Sequence, residues 1–77
     1  MAKARIRNRV RELREARGLT QGALADQCRC TRQTIIMLEQ ERYVPSLSLA
    51  FAVARALGAG VEDVFAPEDG GAADAAP

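Results

Sequence analysis

Apolar residues recur along this 77-residue chain at helical rather than strand spacing. Ile6, Val10 and Leu13 stand at i, i+4 and i+7 and predict a first helix over about residues 3–17, with a narrow apolar stripe. Gly18 stops it, because glycine accepts the left-handed conformation just past a helix end, and Leu19 can fold back over the last turn. Thr20 offers its hydroxyl as the cap of a second helix, about residues 21–27, with Ala23, Leu24 and Ala25 in its middle. Thr31 caps a third, about residues 31–40. At about 100° per residue Thr31, Ile35 and Leu38 fall on one side of it. Gln33, Ile36, Met37 and Gln40 fall on the other, with Arg32 at the flank of the first turn. Two of these outward residues, Ile36 and Met37, are apolar, which a face meant only for water rarely needs.

Pro45 keeps its predecessor out of a helix, and Ser46 caps a fourth helix over about residues 46–57. Leu47, Ala50, Phe51, Ala54 and Leu57 repeat there at three- and four-residue steps. Leu49, Val53 and Ala56 sit beside them, so more of the circumference is apolar than one small core requires. Gly58 and Gly60 end it, and Val61, Val64 and Phe65 form a last helical turn over residues 61–65. The pattern predicts an all-α, five-helix domain over residues 1–66. From Pro67 on, PEDGGAADAAP has no apolar periodicity and reads as a disordered acidic tail, residues 67–77.

A chain this short supports one domain and leaves little room for a catalytic cleft. No apolar run is long enough to span a membrane, and no apolar signal core follows the basic start, so a cytoplasmic protein is expected. The net charge is only +1, but it is segregated: the first seventeen residues carry seven cations against two carboxylates, and residues 61–77 carry five carboxylates and no cation. Such asymmetry fits a basic binding surface with an acidic tail, or equally a solvated helix and a solubilising tail. With no histidine, no phosphate-cradling glycine loop and no poised carboxylate pair, an enzyme is not expected, nor is a cofactor.

Two short helices joined by a tight connection make a helix-turn-helix outline. Beyond that outline, the segments TQGALA, TRQTIIMLE and YVPSLSLA, in this order and spacing, resemble the Cro/C1-type, or XRE, family of DNA-binding regulators, in its short one-domain branch. The resemblance covers about residues 5–65. It implies a lambda-repressor-like fold, double-stranded DNA as partner and a homodimer on a two-fold symmetric operator.

A third helix lying in the major groove reads base edges with its first turns. Arg32 can fork onto guanine O6 and N7, and Gln33 onto adenine N6 and N7. Ile36 and Met37 suit thymine methyls, or alternatively a protein contact. The resemblance makes Gln21, Thr31 and Thr34 phosphate or neighbouring contacts and pairs Arg14 with Glu39 so as to tie the first helix to the third; Arg42, beyond the third helix, is a further expected phosphate contact. Excess apolar surface and family habit place the dimer interface at Leu49, Val53, Val61, Val64 and Phe65. No activation or sensory domain fits in the chain, so repression by occupying a promoter is the simplest mechanism.

Cys28 and Cys30 occupy positions that are aliphatic in the family, and a free thiol is a small, easily buried hydrophobe. Two thiols without histidine supply only half of a tetrahedral metal site, so no metal is expected. Thiol-based redox or metal sensing stays the alternative to core packing. Arg29 replaces a frequent family glycine; if the turn keeps positive φ this costs about 1 kcal/mol, which a phosphate contact would offset. Of the N-terminal cations, Arg5 and Arg9 share one helical face and Arg7, Arg11 and Arg14 another, so not all reach one DNA backbone. A protein-interaction module, such as an antitoxin-like partner, is the rival from another class.

Overall fold

The computed structural model describes residues 6–67. Five helices and two short strands follow one another: β1 (Ile6–Asn8), α1 (Val10–Ala16), α2 (Gln21–Cys28), α3 (Arg32–Glu39), α4 (Leu47–Ala56), α5 (Val61–Val64) and β2 (Phe65–Pro67). The three middle helices begin where the sequence supplies a hydroxyl. Thr20, Thr31 and Ser46 each accept the backbone N–H three residues on, at 3.0, 3.1 and 3.1 Å, satisfying a donor that has no partner inside its helix. At the head of α5 the Gly60 N–H donates to Asp63 Oδ2 at 3.1 Å.

Helices α1 to α4 all stop on the same device. A residue at positive φ follows each, and the next N–H reaches back five residues: Leu19 to Arg14, Cys30 to Ala25, Arg42 to Met37 and Ala59 to Ala54. Glycine takes the left-handed place after α1 and α4, at Gly18 and Gly58. Arg29 (φ 59°) and Glu41 (φ 61°) take it after α2 and α3, each against a steric cost of about 1 kcal/mol.

The core draws on every helix. Val10, Leu24, Ile35, Leu38, Val53 and Val64 are wholly buried, and Ala25, Ala54 and Leu57 nearly so. Leu13, Leu19, Leu49, Val61 and Phe65 pack around them. On α4 the inward stripe is Ala50, Val53, Ala54 and Leu57, so the inward and outward sets expected from the sequence are partly exchanged. Leu47 and Phe51 point outward instead.

Three expectations about the chain ends change. The first helix begins at Val10 rather than near residue 3, because Asn8 interrupts it: its Oδ1 accepts the Val10 N–H at 3.0 Å and turns the chain into α1. Before that turn, Ile6–Asn8 runs extended and pairs antiparallel with β2, in the register Ile6–Pro67, Arg7–Ala66, Asn8–Phe65. The last helix stops at Val64, and Phe65 is already extended, with φ −121° and ψ 142°. Pro67 therefore belongs to the sheet and not to a tail; the rest of the proposed tail, residues 68–77, and the cations Lys3 and Arg5 lie outside the described residues.

Asn8 is the joint of this small sheet. Its Nδ2 donates to the Leu38 carbonyl at 2.8 Å, and its backbone N–H donates to Glu41 Oε2 at 3.3 Å, so β1 rests against the end of α3. The Arg9 N–H donates to the Val64 carbonyl at 2.9 Å. Antiparallel alternation then makes Arg7–Ala66 the hydrogen-bonded pair and turns the Phe65 and Pro67 backbone outward. On that outer side the Phe65 N–H is already committed to the Val61 carbonyl, and Pro67 has none to give.

Candidate nucleic-acid interface

Helices α2 and α3 meet through the three-residue connection Arg29–Thr31. Ile35 and Leu38 anchor α3 by its inner side. The opposite side is left to solvent: Arg32, Gln33 and Gln40 are exposed, and Ile36 and Met37 half-buried. Arg32 makes no ion pair with another described residue, and neither does Arg29 or Arg42, both exposed.

A groove of about 690 Å³ runs between α1, the head of α2 and α3, lined by Arg11, Arg14, Thr20, Gln21, Gly22, Arg32, Ile36, Glu39 and Gln40. At its floor lies a buried polar network. Arg14 donates from Nε to Glu39 Oε2 at 2.6 Å, from Nη2 to Glu39 Oε1 at 3.2 Å and from Nη1 to the Leu19 carbonyl at 2.9 Å. The fork is two-pronged and nearly sealed from water, with side-chain exposures of 10% and 5%. Its hydrogen bonds to Glu39 hold the Arg14 guanidinium above its ordinary value, against the opposing effect of burial. This pair ties α1 to α3, as the family resemblance implies.

Gln21 joins the same network, its Nε2 donating to Glu39 Oε1 at 3.2 Å. One amide proton is thereby committed, and the side chain is fixed at the groove wall rather than free. Beside it, the first two backbone N–H groups of α2, those of Gln21 and Gly22, have no helical acceptor, since Thr20 takes only the next two. Thr31 and Thr34 are also bonded locally: their hydroxyl oxygens lie 2.9 Å apart, and Thr31 Oγ1 accepts the Thr34 N–H. Of the pair's two hydroxyl protons one closes this bond and one is left to donate outward.

Other members of the expected site stand elsewhere. Among the residues assigned to a dimer interface, Val53 and Val64 are core side chains with exposures of 0% and 1% and cannot meet a second copy. Leu49, Val61 and Phe65 are half-buried against that core. Among the described residues, the large apolar side chains that do face solvent are Tyr43, Val44, Leu47 and Phe51, at 38%, 61%, 71% and 52%. Leu47 and Phe51 sit at core spacing from their neighbours, so the sequence pattern alone places them inside. Arg9 and Arg11 are engaged on the α1 surface with Glu12 and Glu15, each at 3.2 Å. Cys28 is buried and Cys30 half-buried. Burial raises both thiols, that of Cys28 also through its nearness to Cys30, which disfavours the reactive thiolate.

A capped helix pair with its second member exposed at the first turn, beside a cation-bearing groove, defines a DNA-binding helix-turn-helix protein. A helix-turn-helix family profile matches residues 10–64. An uncharacterized HTH-type transcriptional regulator of Methanothermobacter thermautotrophicus is 52% identical over 68 residues, 87% of this chain and 99% of its own. The immunity repressor protein of Bacillus phage phi105 is 38% identical over 63 residues, 82% of this chain and 44% of its own. Among solved structures, the restriction-modification controller protein C.AhdI from Aeromonas hydrophila superposes with a TM-score of 0.68 at 33% identity, over 71% of this chain and 83% of that one. The chain belongs to the Cro/C1-type (XRE) helix-turn-helix family: it is a DNA-binding transcriptional regulator, not an enzyme.

Proposed function

We propose that this regulator represses transcription by binding a two-fold symmetric operator as a homodimer, with α3 in the major groove of each half-site. The observation that carries the reading is the first turn of α3, where Arg32 and Gln33 are exposed and unengaged on an anchored helix. Arg32 and Gln33 read bases through forked hydrogen bonds, with Ile36 and Met37 beside them. The phosphates are taken by Arg29, Arg42, the spare proton of the Thr31–Thr34 pair, and the head of α2 with Gln21. The phage immunity repressor is similar over 82% of this chain, which favours repression.

For the second copy we assign the surface of Tyr43, Val44, Leu47 and Phe51. Close together in sequence and all exposed, they make an apolar surface of roughly a few hundred Å², a size often functional on a single chain. With a polar rim, such a patch forms the centre of a dimer contact of about 800 Å² per partner.

The test is binding of the full chain to genomic fragments by fluorescence anisotropy. Arg32→Ala plus Gln33→Ala should weaken specific binding by roughly 30-fold or more. Undiminished binding in this double variant removes the recognition assignment.

A further inference from the structure

Ile36 and Met37 are the two apolar side chains of α3 that lie outside the core, each half-buried on the outward side of the helix. Ile35 and Leu38 fill the inner side of the helix, and neither Ile36 nor Met37 belongs to the core or to the side chains packed around it. Adjacent on the helix, they form one apolar spot midway along its outward side, between the amides of Gln33 and Gln40. No charge lies within that strip. Arg32 and Ile36 line one groove with the N–H groups at the head of α2 that have no helical acceptor, and the carboxylate in that groove, Glu39, is already spent on Arg14 and Gln21, so the surroundings suit a polyanion more than an apolar protein partner.

Base edges in a major groove present hydrogen-bonding atoms and a single apolar group, the methyl on C5 of thymine. Cytosine methylated at C5 carries the same group at the same place. We propose that Ile36 and Met37 recognise a pyrimidine C5-methyl group, and that the regulator thereby distinguishes C5-methylated from unmodified cytosine. The proposal rests on the base-reading role of α3 and specifies what the apolar part of that surface takes. Burying one methyl is worth about a fourfold change in affinity.

The experiment starts from duplexes selected in vitro by the full chain from a random pool. Each thymine of the selected site is replaced by deoxyuridine, and cytosine and 5-methylcytosine are compared at the positions that respond, all by anisotropy at one salt concentration. Uracil should weaken binding about fourfold at one or two positions per half-site, and 5-methylcytosine should exceed cytosine there by a similar factor. Ile36→Ala plus Met37→Ala should abolish both differences while the circular dichroism of the protein is unchanged. A specific site with no methyl dependence at any position overturns the proposal, and so does a dependence that survives in the double variant. Loss of a dimer in that variant, seen by sedimentation, also overturns it, since the spot would then be a contact between copies. Selection that yields no common site sinks the base-reading role itself, and the proposal with it.

Discussion

At the scale of single residues, two non-glycine positions carry backbone strain, and one of them, Arg29, is also a departure from the family pattern. Arg29 and Glu41 hold a left-handed backbone that glycine takes without cost, and each ends a helix of the helix-turn-helix unit or its flank. Arg29→Gly should raise stability by up to about 1 kcal/mol in denaturant titration. It should also weaken DNA binding and lower the slope of log affinity against log salt by about 1, if the guanidinium meets a phosphate. An unchanged slope removes Arg29 from the phosphate contacts. Cys28 gives a second test. Its thiol is raised by burial first and by Cys30 second, so the folded chain binds this proton more tightly than the unfolded chain does. The resulting stability is whole below about pH 9 and is lost as pH rises through the folded value. Cys28→Val should therefore flatten the alkaline fall of the melting temperature.

At the scale of elements, α1 is held to α3 by one buried fork, and the stripe of α1 alone would not fix its angle. Glu39→Ala leaves the Arg14 guanidinium buried without its partner and should cost about 3 kcal/mol, measured by chemical denaturation. Replacing both by apolar residues of similar volume should cost much less. The helices themselves were legible because their signals are local: a hydroxyl cap, a glycine stop and a stripe such as Ile35 and Leu38 each lie within one turn. The strands were not, because Ile6–Asn8 and Phe65–Pro67 are three residues long and pair across nearly the whole chain. Neither strand shows alternation long enough to compete with the helical spacing of Ile6, Val10 and Leu13. The phase of α4 was misread for a related reason. Its apolar residues cover two faces, and only the partner helices decide that Val53 goes inside and Phe51 outside.

At the scale of the whole molecule, the proposed recognition surface and the apolar side chains assigned to the second copy follow one another along the chain, α3 first and Tyr43 to Phe51 next. Assembly and DNA binding should therefore be coupled. Leu47→Glu plus Phe51→Glu should convert a concentration-dependent dimer to a monomer in sedimentation and steepen the loss of operator binding on dilution. Because both side chains are outside the core, the folded monomer should persist. A dimer that survives these charges places the two-fold axis elsewhere. An exposed strand edge is a ready template for pairing with another chain wherever copies come close. The outer rim of the β1–β2 ribbon meets that hazard with Pro67 and with an amide already spent on Val61. A rim that can accept hydrogen bonds but not return them gives a passing strand no reciprocal ladder, so crowding need not become fibre growth.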